Sequence, residues 1–191
     1  MSSEDLASAS RRGLLRATGA AAVAGAAGLI AACGSTSHSS SQTTVAAPGN
    51  ADADALNHAL DLKHYMIAAY TAATPYLGGR AHAAGKKFLA EELSHASALI
   101  SLIQKAGGTP NPPQASYQLG HPRSRKAILR LLDSAEDKMI ATFIDTVPAV
   151  TLPSARTTLA SIVANDAQHV SVLRLSLHEE PIPAPFVTGR E

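Results

Sequence analysis

Two stretches of this sequence set a carboxylate three residues ahead of an imidazole: Glu92-Leu93-Ser94-His95 and Asp166-Ala167-Gln168-His169. On a helix, side chains at i and i+3 leave from the same face, so a carboxylate and an imidazole spaced this way reach the same ion. Both pairs fall within stripes of apolar residues at helical spacing, and so do two single charged residues. Lys63 sits among Leu56, Ala59, Leu60, Ile67 and Tyr70, and Glu136 among Leu129, Leu132, Met139 and Phe143. Glu92 and His95 lie among Leu89, Ala96, Leu99 and Ile103, and Asp166 and His169 among Leu159, Ile162, Val170 and Leu173. A charge buried alone is costly, so these six groups must pair with one another or with an ion.

Four helical segments have to carry them. The first spans about 51–74 and stops at Pro75; the second, about 81–106, ends at Gly107-Gly108, a C-terminal stop signal. A connection containing Pro110, Pro112, Pro113 and Pro122 follows, long enough to cross the end of a bundle. The third segment, about 124–147, stops at Pro148. The fourth starts at Thr151-Leu152-Pro153, a cap with an early Pro, and runs to about 177.

The two halves repeat. Lys63 to Tyr70 aligns with Glu136 to Phe143, with a Pro five residues after each aromatic, and Ala90 to His95 aligns with Ala164 to His169. Two helical hairpins joined by a longer connection make an all-α four-helix bundle over 51–180, with a Pro-rich tail at 181–191. Composition agrees: 46% of the 191 residues are hydrophobic but only 4% aromatic, so Ala and Leu dominate.

This arrangement resembles the ferritin-like superfamily, above all its secreted, desiccation-related members, over about residues 52–186. The turn Gly107-Gly108-Thr109-Pro110 and the tail Pro181-Ile182-Pro183-Ala184-Pro185-Phe186 resemble theirs as well. The resemblance implies a fold with one carboxylate on each of two helices and a Glu-x-x-His on each of the other two. In that arrangement one ion takes the first-helix Glu and second-helix His, a second takes the third-helix Glu and fourth-helix His, and the remaining carboxylates bridge.

Carried over, Glu92, His95, Glu136, Asp166 and His169 are the candidate metal ligands. Lys63 stands where the family has its first-helix glutamate, and Asp166 is one methylene shorter than the family's residue. A protonated lysine binds no metal, so the ion beside His95 is lost and a full dinuclear centre is not expected. Two readings stay open. In one, the bundle is metal-free, with Lys63 a buried counter-ion to Glu92, Glu136 and Asp166. In the other, a single iron or manganese ion binds to Glu136, His169, Glu92 and Asp166. The first makes the protein a non-catalytic binding or structural module of the envelope, the second a metal-binding redox or oxygen-handling protein.

No phosphate-binding Gly loop or nucleophile–base pair is present, and no catalytic residue is assigned. His58, His64, His82, His121 and His178 are expected at the surface or its boundary, Tyr65 in packing, and Glu91 in solvent.

Ahead of the bundle, Ser10-Arg11-Arg12-Gly13-Leu14-Leu15-Arg16 resembles a twin-arginine export motif. The Ala/Gly-rich stretch 17–32 is shorter than the ~20 apolar residues of a membrane span, as a signal core should be. Ile30-Ala31-Ala32-Cys33 looks like a lipobox, which implies cleavage before Cys33 and a diacylglycerol on its thiol; two acyl chains anchor stably. Residues 1–32 are thus expected to be a signal peptide, and 33–50 a lipidated cysteine with a Ser/Thr-rich tether. These features place the protein on the extracytoplasmic face of the cell membrane, with the membrane as its one implied partner. The formal charge is +1, and without Glu4, Asp5, Arg11, Arg12 and Arg16 the two signs are equal in number. Such a neutral domain has no basic surfeit for nucleic acid. A single cysteine excludes an internal disulfide.

Overall fold

The protein is described from a computed structural model, over residues 48–191. Arg11, Arg12, Cys33 and almost all of the tether lie outside the described residues. Four helices follow in order: α1 (Pro48–Ala73), α2 (Gly79–Lys105), α3 (Arg125–Thr146) and α4 (Pro153–Leu177). The described residues contain no strand. Pro75 does not stop the chain dead: it sits in a 3-10 turn, Thr74–Tyr76, at a position where its missing N–H costs nothing. At the far end of α2, Gly107 adopts φ +82, and the N–H groups of Gly107 and Gly108 bond the carbonyls of Gln104 and Ile103 at 3.0 and 2.9 Å. Gly108 is required for another reason, since a Cβ there would lie 2.4 Å from that of Ala53.

The Pro-rich connection does not cross the end of the bundle as its length suggested; it runs lengthwise along α1. Asn57 donates to the Thr109 carbonyl at 2.9 Å and accepts from the Asn111 N–H at 2.8 Å, and Asn111 also donates to Asp61 at 3.0 Å. Further on, Tyr117 packs edge-on against Tyr65 with ring centres 6.0 Å apart. Residues 119–123 then lie beside Ala69–Tyr76. The connection therefore delivers α3 antiparallel to α1, starting at the Ser124 cap, whose hydroxyl accepts from the Ala127 N–H at 3.2 Å.

The start of α4 corrects the sequence reading in a second way. Its N-cap residue is Leu152, which has no capping side chain. Asp52, buried on α1, does the work from 99 residues away. Its carboxylate accepts from the N–H groups of Thr151 at 2.7 Å and Leu152 at 2.8 Å.

α1 packs on α2 and α3, and α4 on α3 and α2, leaving α1 and α4 on a diagonal. Leu56, Leu60, Leu99, Ile103 and Leu159 fill one end of the core, and Leu129, Leu132, Tyr70 and Phe88 the other. Each fully buried aliphatic side chain contributes about 1.5–3 kcal/mol. Between these apolar layers lies a polar one.

Candidate metal centre

The polar layer is assembled from all four helices. Lys63, Glu92, Glu136 and Asp166 are each 0% exposed and His169 is 1% exposed. The ammonium of Lys63 donates to Glu92 Oε1 at 3.1 Å and lies 2.8 Å from Oε2. Across the diagonal it donates to both oxygens of Asp166, at 2.9 and 3.1 Å. The ring of Phe143 lies 5.3 Å below it, near enough for a cation–π contact. Burial works against the charge, but the carboxylates of Asp166, Glu92 and Glu136 outweigh it and hold the lysine pKa above its ordinary value.

Glu136 is not part of this pairing, contrary to the expectation that Lys63 would serve three carboxylates. Its Oε1 accepts from the Tyr70 hydroxyl at 2.6 Å and faces His169 Nδ1 at 3.0 Å. The buried Oε2 has no hydrogen-bond partner. His169 is held at both nitrogens, since Nε2 faces Glu91 Oε2 at 2.9 Å. Two carboxylate neighbours suit an imidazolium, which donates from both nitrogens. Burial opposes that charge, but Glu136 and Glu91 outweigh it and raise the His169 pKa. Phe88 stacks on the imidazole with ring centres 4.0 Å apart.

The carboxyl groups divide unequally. Burial pulls Glu92 upward, but His95 and Lys63 hold it below the usual carboxylate range. Burial pushes Asp166 well above that range, and the charges of Glu136 and Glu92 prevail with it over the opposing Lys63. One ammonium thus shares this layer with three buried carboxyl groups, and among them burial bears hardest on Asp166. Burial and the adjoining Glu136 likewise push the Tyr70 phenol well above its ordinary value.

One ligand atom from each of Glu92, Glu136, Asp166 and His169 lies within 4.8 Å of the other three, a spacing that suits a single ion. His95 stands apart from this group, half-buried, with Nδ1 at 3.5 Å from Asp166 Oδ1 and 3.7 Å from Glu92 Oε1. It lies beside the two carboxylates that Lys63 occupies. A set of O and N donors with one unpartnered carboxylate oxygen fits one divalent cation such as iron or manganese. The Lys63 ammonium stands among the same carboxylates, in contact with Glu92 and with both oxygens of Asp166, and so competes for them with any cation.

Three participants escaped the sequence reading. Tyr70 read as one more apolar stripe residue, and nothing in its spacing marked the hydroxyl. Phe88 gave no signal. Glu91, expected in solvent, is only 28% exposed and bonds His169. Among the other residues, Tyr65 packs as expected, and His82 is half-buried with Nδ1 3.0 Å from the Thr74 carbonyl.

Four helices, no strand among the described residues and a buried carboxylate–histidine layer at mid-length define an all-α bundle of ferritin-like type. Residues 51–179 match the Ferritin-like domain family, and the chain belongs to it. Among solved structures, a conserved hypothetical protein from Mycobacterium tuberculosis is similar at 21% identity and a TM-score of 0.65, covering 73% of this chain and 99% of that one. A protein from Bacillus anthracis str. Ames, described as ferritin-like and diiron-carboxylate, is similar at 16% identity and a TM-score of 0.61, covering 70% and 99%. At these identities the likeness shows the fold alone. No curated protein matches the sequence.

Proposed function

We propose that this protein is a lipid-anchored, extracytoplasmic ferritin-like module whose buried site is held by an internal ammonium in place of one ion of a dinuclear pair, and that it serves the envelope without catalysis. The observation that carries this reading is Lys63 Nζ within 2.8–3.1 Å of both Glu92 and Asp166, with all three side chains fully buried. Those two carboxylates occupy the positions that would bridge a metal pair. Both oxygens of Asp166 accept from Lys63, which argues against two-metal chemistry. The anchor rests on the Arg11-Arg12 motif and Cys33.

A second reading draws on a separate observation, the unpartnered Oε2 of Glu136 within the four-ligand group. Glu136, His169, Glu92 and Asp166 would hold a single ion, which would supply Lewis-acid or one-electron chemistry. Glu91 would then accept the Nε2–H of His169 and fix the imidazole with Nδ1 turned inward, as carboxylate partners do for metal-binding histidines. Tyr70 would keep Oε1 of Glu136 hydrogen-bonded.

Metal analysis and Fe2+ or Mn2+ titration of wild type beside Lys63→Glu tests both. Wild type should hold no more than about one weakly bound ion, and Lys63→Glu should bind more ions and bind them more tightly. Two tightly held ions in wild type would overturn the internal-ammonium reading. One tightly held ion would favour the second reading over the first.

A further inference from the structure

Away from the charged layer, the last turns of α1, the first turns of α3 and the connection from α2 to α3 enclose a groove of about 360 Å3. Its floor is apolar: Ala69, Ala72 and Ala73 of α1 face Ile128 and Leu131 of α3. The space exists because the α1 side is built from alanines; one large side chain would close it. At its mouth stand His121 and Arg123, both exposed, and Tyr76, which is 73% exposed despite its size.

Among the residues lining the groove, Arg123 is the one formally charged side chain, and His121 stands beside it. No Asp or Glu occurs between Asp61 and Glu91, or between Lys105 and Asp133, so the segments forming the groove carry only basic residues. Arg125 and Lys126 adjoin Arg123, and among the described residues none of the three has a carboxylate partner. A guanidinium at the mouth of an apolar groove, with no carboxylate of its own, is complementary to an anionic head on an apolar body.

We infer that this groove binds a small amphipathic anion, with its hydrocarbon chain on the Ala69–Ala72–Ala73 floor and its carboxylate at Arg123 and His121. The apolar chain gains from leaving water in proportion to the area covered, and the planar guanidinium takes a carboxylate in a paired, charge-assisted contact. At this volume the groove belongs at the lower end of the ~300–1,000 Å3 range of small-molecule sites. That size suits a monomeric amphiphile and is too small for a folded partner.

The test is calorimetric titration of the full chain carrying Cys33→Ala, so that no acyl group of its own competes. The ligands are dodecanoate and, as a charge control, dodecyltrimethylammonium, both below their micellar thresholds. Vesicles of phosphatidylglycerol and phosphatidylcholine form a separate arm. Dodecanoate should bind saturably at one site per chain, and the cationic amphiphile should not. Arg123→Glu and Ala72→Trp should each weaken dodecanoate by about tenfold or more, the first by reversing the charge and the second by filling the groove. Both positions are exposed, so neither change should disturb the helical melt; if one does, the charge control on the unsubstituted groove still decides. Equal binding of both amphiphiles, no saturable binding, undiminished affinity in folded variants, or binding to the vesicles alone would overturn the assignment.

Discussion

Replacing Lys63 by Met removes the ammonium but keeps an unbranched side chain of similar reach against Phe143, so its effect is mainly electrostatic. In the wild-type protein that ammonium supplies the hydrogen bonds to Glu92 and Asp166, each fully buried. Breaking a buried ion pair from one side costs about 3–5 kcal/mol. A loss at the lower bound of that range, about 3 kcal/mol, is expected. For a domain of this size that is a fall of roughly 10 °C in Tm at neutral pH.

The pH dependence follows from Glu92, which Lys63 helps to hold below the usual range. Without the ammonium, its folded-state pKa rises above the unfolded value. The folded variant then binds protons more strongly than the unfolded chain, and loses stability as pH rises through the carboxylate range. The deficit should therefore be greatest near pH 7 and shrink toward pH 4. The assay is thermal melting by circular dichroism, with chelator, across that range for both proteins. Added Mn2+ should restore part of the loss in the variant, since a ligand that binds only the folded state stabilises it. A variant that melts within about 2 °C of wild type at pH 7 without metal, or a deficit unchanged by pH, would refute Lys63 as the internal counter-ion.

Three further outcomes are expected. Asp52→Ala should destabilise by about 1–2 kcal/mol in urea unfolding, because the part-buried N–H groups of Thr151 and Leu152 lose their acceptor. Burial opposes ionisation of Asp52, but these bonds outweigh it and hold its pKa low, so the benefit is full above the unfolded pKa and wild type and variant converge in acid. Burial and the neighbouring Asp137 push Asp133 up to about 6, so its ionisation destabilises the fold as pH rises from the unfolded aspartate value to that point. Asp133→Asn should melt higher at pH 7.5, by about 1–2 kcal/mol, and lose that pH dependence; an unchanged melting profile would contradict this. Cys33→Ala should abolish detergent-phase partitioning of the mature protein or leave its precursor uncleaved, and unaltered processing and partitioning would remove the basis for the lipid anchor.

Periodicity marked most of the side chains that enter the core, but not Met66, Phe88 or Asp52. It also placed on the stripes Ile67, Leu89 and His95, which are only partly buried. Lys63, Glu92, Glu136, Asp166 and His169 fall on apolar stripes, and burial of a stripe is a local consequence of 3.6 residues per turn. The repeat then required two hairpins, and the stop signals at Pro75, Gly107 and Pro148 set the helix ends to within a few residues. The proposed export signal and anchor rest on Arg11, Arg12 and Cys33 as linear motifs, which lie outside the described residues.

Which buried group meets which was beyond periodicity, because it depends on how the helices are staggered and on side-chain reach across the core. Lys63 spans the diagonal to Asp166, while Glu136, on the neighbouring α3, turns to Tyr70 and His169. Glu91 sits about 100° around the helix from Glu92, a position that reads as solvent until the packing of α2 against α4 brings His169 Nε2 to it. Asp52 offers the same lesson at the bundle's end: one charged residue in the first turns of α1 gave no local sign of a role, yet it caps α4. Contacts between residues about a hundred positions apart are made by tertiary packing, and no local pattern in the chain encodes their partners.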